Sequence, residues 1–128
     1  MSEPMISLSN VSKHFGALHV LKDVSFDIPR SQVFAFIGPS GAGKSTLVRA
    51  LNALENIQSG EIFIDGIPVH DKKTDINRLR TDIGFVAQSF NLYPHLNVLD
   101  NVTLAPIHVK GLSRSDAQEK AFTILASL

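Results

Sequence analysis

Cysteine and tryptophan are both absent from this 128-residue chain, and tyrosine occurs once. Without cysteine there can be no disulfide, thiolate zinc site or thiol nucleophile, a composition that fits a reducing compartment. Long hydrophobic runs are lacking too. The longest is Val33-Phe34-Ala35-Phe36-Ile37, five residues, against the roughly 20 that a membrane-spanning helix needs. Met1-Ser2-Glu3-Pro4 has neither the basic segment nor the apolar stretch of a secretory signal. Nor does one sign of charge dominate. Lys plus Arg is 12 and Asp plus Glu is 12, divided as five of each in residues 1–64 and seven of each in residues 65–128. A nucleic-acid-binding arm or a polybasic membrane anchor concentrates one sign in one place, so no nucleic-acid partner is expected. Five histidines occur, at 14, 19, 70, 95 and 108, and no two share a helical face, which excludes a two-histidine metal motif on a helix.

What is present describes one globular domain, with 44% apolar and 19% charged residues. The first third reads as β structure. Ile6 and Leu8 alternate with serines, and Val24, Phe26 and Ile28 alternate with Ser25 and Asp27. The continuous apolar runs Val33–Ile37 and Ile83–Ala87 predict parallel strands buried on both faces. Leu47, Ala50, Leu51 and Leu54 recur at helical spacing up to a break at Gln58-Ser59-Gly60. Asp65-Gly66 between Ile62-Phe63-Ile64 and Ile67-Pro68-Val69 predicts a two-residue hairpin, with Pro68 confining the second strand to an edge. A short helix is expected after Thr74, with Ile76 and Leu79 inward. Another begins at Asn97 and ends at Pro106, and a last one opens at Ser113 with the stripe Ala117, Ala121, Ile124, Leu125 and Leu128. That stripe runs to Leu128 without a capping residue or breaker, as a cut helix would.

The chemistry lies in Gly38-Pro39-Ser40-Gly41-Ala42-Gly43-Lys44-Ser45-Thr46, which satisfies the G-x-x-x-x-G-K-[ST] phosphate-binding loop. Glycines allow the backbone N–H groups to converge on one anion, and a helix starting near Lys44 adds its positive end. Lys44 can reach the β- and γ-phosphates, the Ser45 hydroxyl can ligate Mg²⁺, and Thr46 extends the donors toward the α-phosphate. On this composition a chance match arises about once in 300 chains, and the expected strand before and helix after the loop lower that further. A dinucleotide fingerprint would need glycine at position 46, and a hydrolase nucleophile elbow would need glycine at position 42. Thr46 and Ala42 stand there, so Ser40 reads as a loop residue.

With the loop placed, its surroundings resemble the ATP-binding subunits of ABC transporters, in the branch that imports polar amino acids, its glutamate/aspartate members among them. Val11-Ser12-Lys13-His14-Phe15-Gly16 and Val20-Leu21-Lys22-Asp23-Val24-Ser25-Phe26 are similar to the opening strands of that family. Phe15 matches its adenine-stacking aromatic, and Gln88 its Q-loop glutamine. Tyr93 to Val102 is similar to the start of its helical subdomain. Asp71-Lys72-Lys73-Thr74-Asp75 and Thr103-Leu104-Ala105-Pro106 resemble the importer branch. Ala87 and Ser31-Gln32 depart from the usual Phe and Gly-Glu.

The resemblance implies an α/β fold: a P-loop nucleoside triphosphatase core with an incomplete parallel sheet, an N-terminal antiparallel β-subdomain and the start of a helical subdomain. It divides residues 1–128 at about 87/88. It implies ATP and Mg²⁺ as ligands. Lys44 and Gln88 would serve catalysis, and Ser45 and Gln88 the metal. The partners would be a second ATP-binding subunit placed head to tail, transmembrane permease subunits and, indirectly, an extracytoplasmic amino-acid-binding protein. The location would be peripheral, at the cytoplasmic face of the inner membrane. The 128 residues contain no LSGGQ-like signature and no apolar run ending in Asp-Glu, and no histidine falls on the family's switch position. The expectation is therefore the N-terminal portion of a hydrolase, inactive by itself. The alternative is a short, non-hydrolysing nucleotide-binding or regulatory module. A P-loop kinase or GTPase would need a guanine-reading or acceptor-binding motif that the sequence does not show.

Overall fold

A computed structural model of the chain describes residues 3–128; Met1 and Ser2, part of the stretch read for a secretory signal, lie outside them. Two compact units divide between Arg80 and Thr81.

In the first unit, β1 (Ile6–Phe15) and β2 (Leu18–Ile28) form a long antiparallel hairpin. β3 (Ser59–Ile64) and β4 (Ile67–Pro68) complete a four-stranded sheet of order β2-β1-β3-β4. The predicted alternation holds on β2: Ile28 is buried and Val24 and Phe26 half-buried, while Ser25 and Asp27 face out. Register breaks along β1 are closed by side chains. Asn10 N donates to Ser25 Oγ at 2.8 Å, and Asp23 N to Ser12 Oγ at 3.0 Å. The β3–β4 turn has Asp65 at φ 50° and Gly66 at φ 75°, the pair of positive angles that a two-residue turn needs to match strand twist. Pro68 pairs with Phe63 at the sheet edge, where its missing N–H costs no ladder bond.

Helix α1 (Lys44–Leu51) packs Leu47 and Ala50 into the core, and α2 (Ile76–Arg80) adds Leu79. The α1 helix is shorter than its apolar spacing predicts. Ala53 turns left-handed at φ 57°, Leu54 N returns to Arg49 O at 2.9 Å, and Leu54 is left half-exposed. Arg80 holds that ending, with Nε 2.9 Å from Asn52 O and a terminal nitrogen 2.9 Å from Ala53 O.

Neither run predicted as a parallel strand belongs to a sheet among the described residues. A strand exists only with a hydrogen-bonded neighbour. Val33–Ile37 has one face against β2, where Phe34 stacks on Phe26 at 5.4 Å and Phe36 meets it edge-on at 5.5 Å. Its other face is bare, with Val33 100% and Ile37 94% exposed. Ile83–Ala87 likewise leaves Phe85 and Val86 exposed.

The second unit holds α3 (Val98–His108) and α4 (Arg114–Ala126), packed on each other. Asn97 caps α3 by accepting from Asp100 N at 2.8 Å, and Ser113 caps α4 by accepting from Asp116 N at 3.1 Å, as their spacings predict. Pro106 does not end α3. It lies in the last turn, where a single intrahelical bond is lost and the helix carries on to His108. On α4 the inward residues are Ala117 and Ala121, whereas Ile124 and Leu128 are exposed, so the predicted stripe is core over its first half alone.

Asn101 organises the loop before α3. Its Oδ1 accepts from Tyr93 N at 2.8 Å. Its Nδ2 reaches Tyr93 O at 3.2 Å, Leu96 O at 3.1 Å and Asn97 O at 2.9 Å.

Two predictions follow from these contacts. At Gly60 (φ 92°) an added Cβ would lie 2.4 Å from Asn10 O and 2.5 Å from Val11 Cα, both backbone atoms. Gly60→Ala is expected to destabilise the first unit by about 2–4 kcal/mol, read as a lowered urea midpoint; an unchanged midpoint refutes the close β1–β3 approach. Asn101→Ala is expected to cost the second unit about 1–3 kcal/mol. Amide exchange at Tyr93 should then accelerate at least tenfold, and unaltered protection there would contradict the clamp.

Candidate functional site

The phosphate-binding sequence forms a loop closed by its own backbone. Ala42 N donates to Pro39 O at 3.2 Å, and Gly41 and Gly43 adopt φ 81° and 90°. Gly43 is both the left-handed residue that turns the chain into α1 and a point of close approach. A Cβ there would sit 3.0 Å from Val20 Cγ1 and 3.1 Å from Val20 O on β2. Leu47 N donates back to Gly43 O at 2.9 Å. The N–H groups of Lys44, Ser45 and Thr46 precede that bond and have no intrahelical acceptor. They form the positive end of the helix.

Lys44 folds its ammonium onto the loop, donating to Gly38 O and, at 2.7 Å, to Pro39 O. These are neutral acceptors in an exposed setting, and an anion's oxygens would be stronger ones. Ser45 is exposed and its hydroxyl accessible, while Thr46 is buried. A hollow of 490 Å³ opens beside the loop, lined by Val20, Lys22, Phe36, Gly43, Lys44 and Leu47 among others.

The other end of α1 is anchored by residues that the sequence did not single out. His70 places Nε2 2.8 Å from Ala50 O, and Arg80 bonds the next carbonyls, of Asn52 and Ala53. Carbonyls at a helix C-terminus carry partial negative charge, and an arginine there satisfies and neutralises them. Nothing in the sequence near Arg80 announces this role; a cation near the end of a short helix more often faces solvent.

Phe15 ends β1 and is 44% exposed. His14 and His19 are half-buried and stack with ring centroids 4.0 Å apart, because they are direct cross-strand partners. Gln88 is exposed in the second unit, outside helix or strand. Tyr93 is half-exposed, its ring edge-on to His95 at 5.9 Å. The first unit therefore unites Phe15 with Gly38 to Thr46, and Gln88 belongs to the second.

A nucleoside triphosphate fits this loop. The cradle has no Cβ at its two left-handed positions, its helical N–H groups are open, and a flexible cation lies across it. For Mg²⁺ the fit is a hydroxyl at Ser45. No group of three or more histidine, aspartate or glutamate side chains gathers among the described residues, so such an ion would share its coordination with the phosphates.

The likeness to known proteins runs the same way. The profile of the ABC transporter family matches residues 21–128. The glutamine transport ATP-binding protein GlnQ of Geobacillus stearothermophilus is 51% identical over 121 residues, which make up 94% of this chain and 50% of that protein. The glutamate/aspartate import ATP-binding protein GltL of Escherichia coli is 48% identical over the same shares. The chain thus spans about half the length of these curated relatives. Among solved structures, a dimeric bacterial ABC transporter cassette superposes with a TM-score of 0.87 at 35% identity, over 95% of this chain and 56% of that one. A dimeric ATP-binding cassette bound to ADP and Pi, in a post-hydrolysis state, gives 0.85 at 35% over the same shares. A phosphate loop seated between β2 and α1, a family profile covering most of the residues and this agreement in fold lead to one statement: the chain belongs to the ABC transporter family and has its α/β cassette fold.

Proposed function

We propose that this chain supplies the nucleotide-holding part of an ATP-binding subunit in an importer of polar amino acids. The observation that carries the ATP reading is the backbone of Gly38 to Thr46. Two left-handed glycines and a helix with open leading N–H groups make a seat for phosphate. The importer reading rests on relatives whose names specify glutamine and glutamate/aspartate transport.

Gly38 and Pro39 shape the turn, and Ser40, Gly41, Ala42 and Gly43 offer their backbone N–H groups to the phosphates, with Thr46 N–H at the inner end. Lys44 exchanges the carbonyls of Gly38 and Pro39 for β- and γ-phosphate oxygens, gaining charge-assisted bonds. Ser45 serves as this unit's ligand for Mg²⁺. Mg²⁺, when bound with the nucleotide, neutralises phosphate charge. Phe15 stacks on the adenine through its open surface. Lys44 is the group of the first unit that acts at the reacting phosphate, and Gln88 is the catalytic residue that the family resemblance assigns to the second.

The working assembly pairs this subunit head to tail with a second ATP-binding subunit, against transmembrane permease subunits that are served by an amino-acid-binding protein outside the membrane. Residues from Gln88 to Leu128 face the permease, and residues up to about 87 hold the nucleotide. No helix among the described residues is long and apolar enough to cross a membrane. Attachment at the cytoplasmic face of the inner membrane would then come through the permease.

Calorimetric titration of the 128-residue chain with MgATP tests the cradle. Lys44→Ala is expected to weaken binding about 10- to 100-fold, the value of one or two charged hydrogen bonds; equal affinity in the variant rejects the assignment. Turnover gives a second test. The chain by itself is expected to release phosphate from MgATP no faster than a buffer blank, since the 128 residues contain no signature and no Asp-Glu strand motif. Phosphate release that Lys44→Ala abolishes would overturn that expectation.

A further inference from the structure

Lys13 lies within β1 and is 3% exposed. A lysine is almost never buried unless its charge is answered. Here Nζ is 3.1 Å from Glu55 Oε1 and donates to Asn56 Oδ1. It also lies over the ring of Phe15, 4.8 Å from the centroid, within the range of a cation–π contact. Lys13 and Phe15 are two residues apart on one strand, so they share a face. Glu55 and Asn56 come from the segment that leaves α1. The same segment clasps β1 again through Gln58, whose Oε1 accepts from His14 N at 2.8 Å, whose Nε2 donates to His14 O at 3.0 Å, and whose N–H reaches Ser12 O at 3.0 Å.

We infer that Lys13 is a positioning residue for the nucleotide base: its ammonium, held by Glu55 and Asn56, sits on one face of Phe15 and fixes the ring as a platform for the adenine of ATP. The inference rests on the reading of Phe15 as the adenine stacker. The cation draws the ring's π density toward itself and holds its tilt, so the opposite side is preorganised for an electron-rich purine. Glu55 follows closely on the end of α1, so one ion pair ties the base platform to the helix that holds the phosphates. A purely structural ion pair would change stability and leave base recognition alone.

The test titrates the 128-residue chain and its variants with MgATP and with inorganic tripolyphosphate plus Mg²⁺, reading the ratio of the two affinities. A thermal midpoint is recorded for each protein. Phe15→Ala is expected to lower the ratio about tenfold. Lys13→Met is expected to lower it about three- to tenfold, as loss of a partly desolvated cation–π contact would. Lys13→Met combined with Glu55→Met removes the cation without leaving a buried unpaired carboxylate, so it guards against a failure to fold. It should lower the ratio by the same factor. A folded double variant with the wild-type ratio, while Phe15→Ala lowers it, overturns the role of Lys13 and spares that of Phe15. An unchanged ratio in Phe15→Ala removes the platform itself, and the inference with it.

Discussion

Helix α1 has one end answered and the other end open, and the first unit is arranged around that difference. At its C-terminus the carbonyls of Ala50, Asn52 and Ala53 meet His70 and Arg80, which reach in from beyond β4 and from α2. At its N-terminus no side chain caps the helix, and Gly43 turns the chain in a left-handed step. Unsatisfied helical N–H groups seek an anion, and the macrodipole favours one. Satisfying the same groups from within the protein would have been easy; an asparagine at the cap position does so in α3 and a serine in α4. Glycine at position 43 instead leaves the donors free and lets the loop press to within a methyl's breadth of Val20.

The sheet positions that helix by steric contact rather than by hydrogen bonds. Gly43 lies against Val20 and Leu21 on β2, and Leu47 and Ala50 are buried in the same unit. The β1–β3 contact is closer still at Gly60. Two glycines thus set how near the loop can come to β2 and how near β3 can come to β1, and these spacings hold the phosphate loop and Phe15 within one body. The segment between α1 and β3 adds polar fasteners, Glu55 and Asn56 on Lys13 and Gln58 on His14. Buried in that way, Lys13 orders the strand end that carries Phe15. An isolated exposed pair such as Arg30 and Asp65 contributes little by comparison.

The second unit is built on different terms. Its α4 buries the small residues Ala117 and Ala121, and its long leading loop is ordered by one amide, Asn101, that answers four backbone groups. Gln88 lies upstream of that clamp, in a stretch without regular structure. Helical backbone in α3 and an irregular stretch around Gln88 suit a segment that transmits contact to partners, as proposed for residues from Gln88 onward.

Much of the cradle was legible in the amino-acid order, because it depends on local backbone chemistry. Gly41 and Gly43 stand where the phosphate loop turns left-handed, Asp65-Gly66 specifies its turn, and Asn97 and Ser113 specify their caps, since each acts on residues within a few positions. Resemblance to a family added Phe15 and Gln88, which spacing alone leaves ambiguous. Tertiary structure decided whatever needs a partner distant in the chain. Val33–Ile37 has the composition of a buried strand, yet with no ladder neighbour among the described residues it rests on Phe26 by one face and bares the other. The α1 helix stops short of Leu54 because Arg80, 27 residues beyond Ala53, stabilises a left-handed turn there. The pairing of Lys13 with Glu55 and Asn56 spans more than 40 residues. Local rules read out turns, caps and loops; burial and long-range pairing belong to the fold, because they depend on which distant residues it brings together.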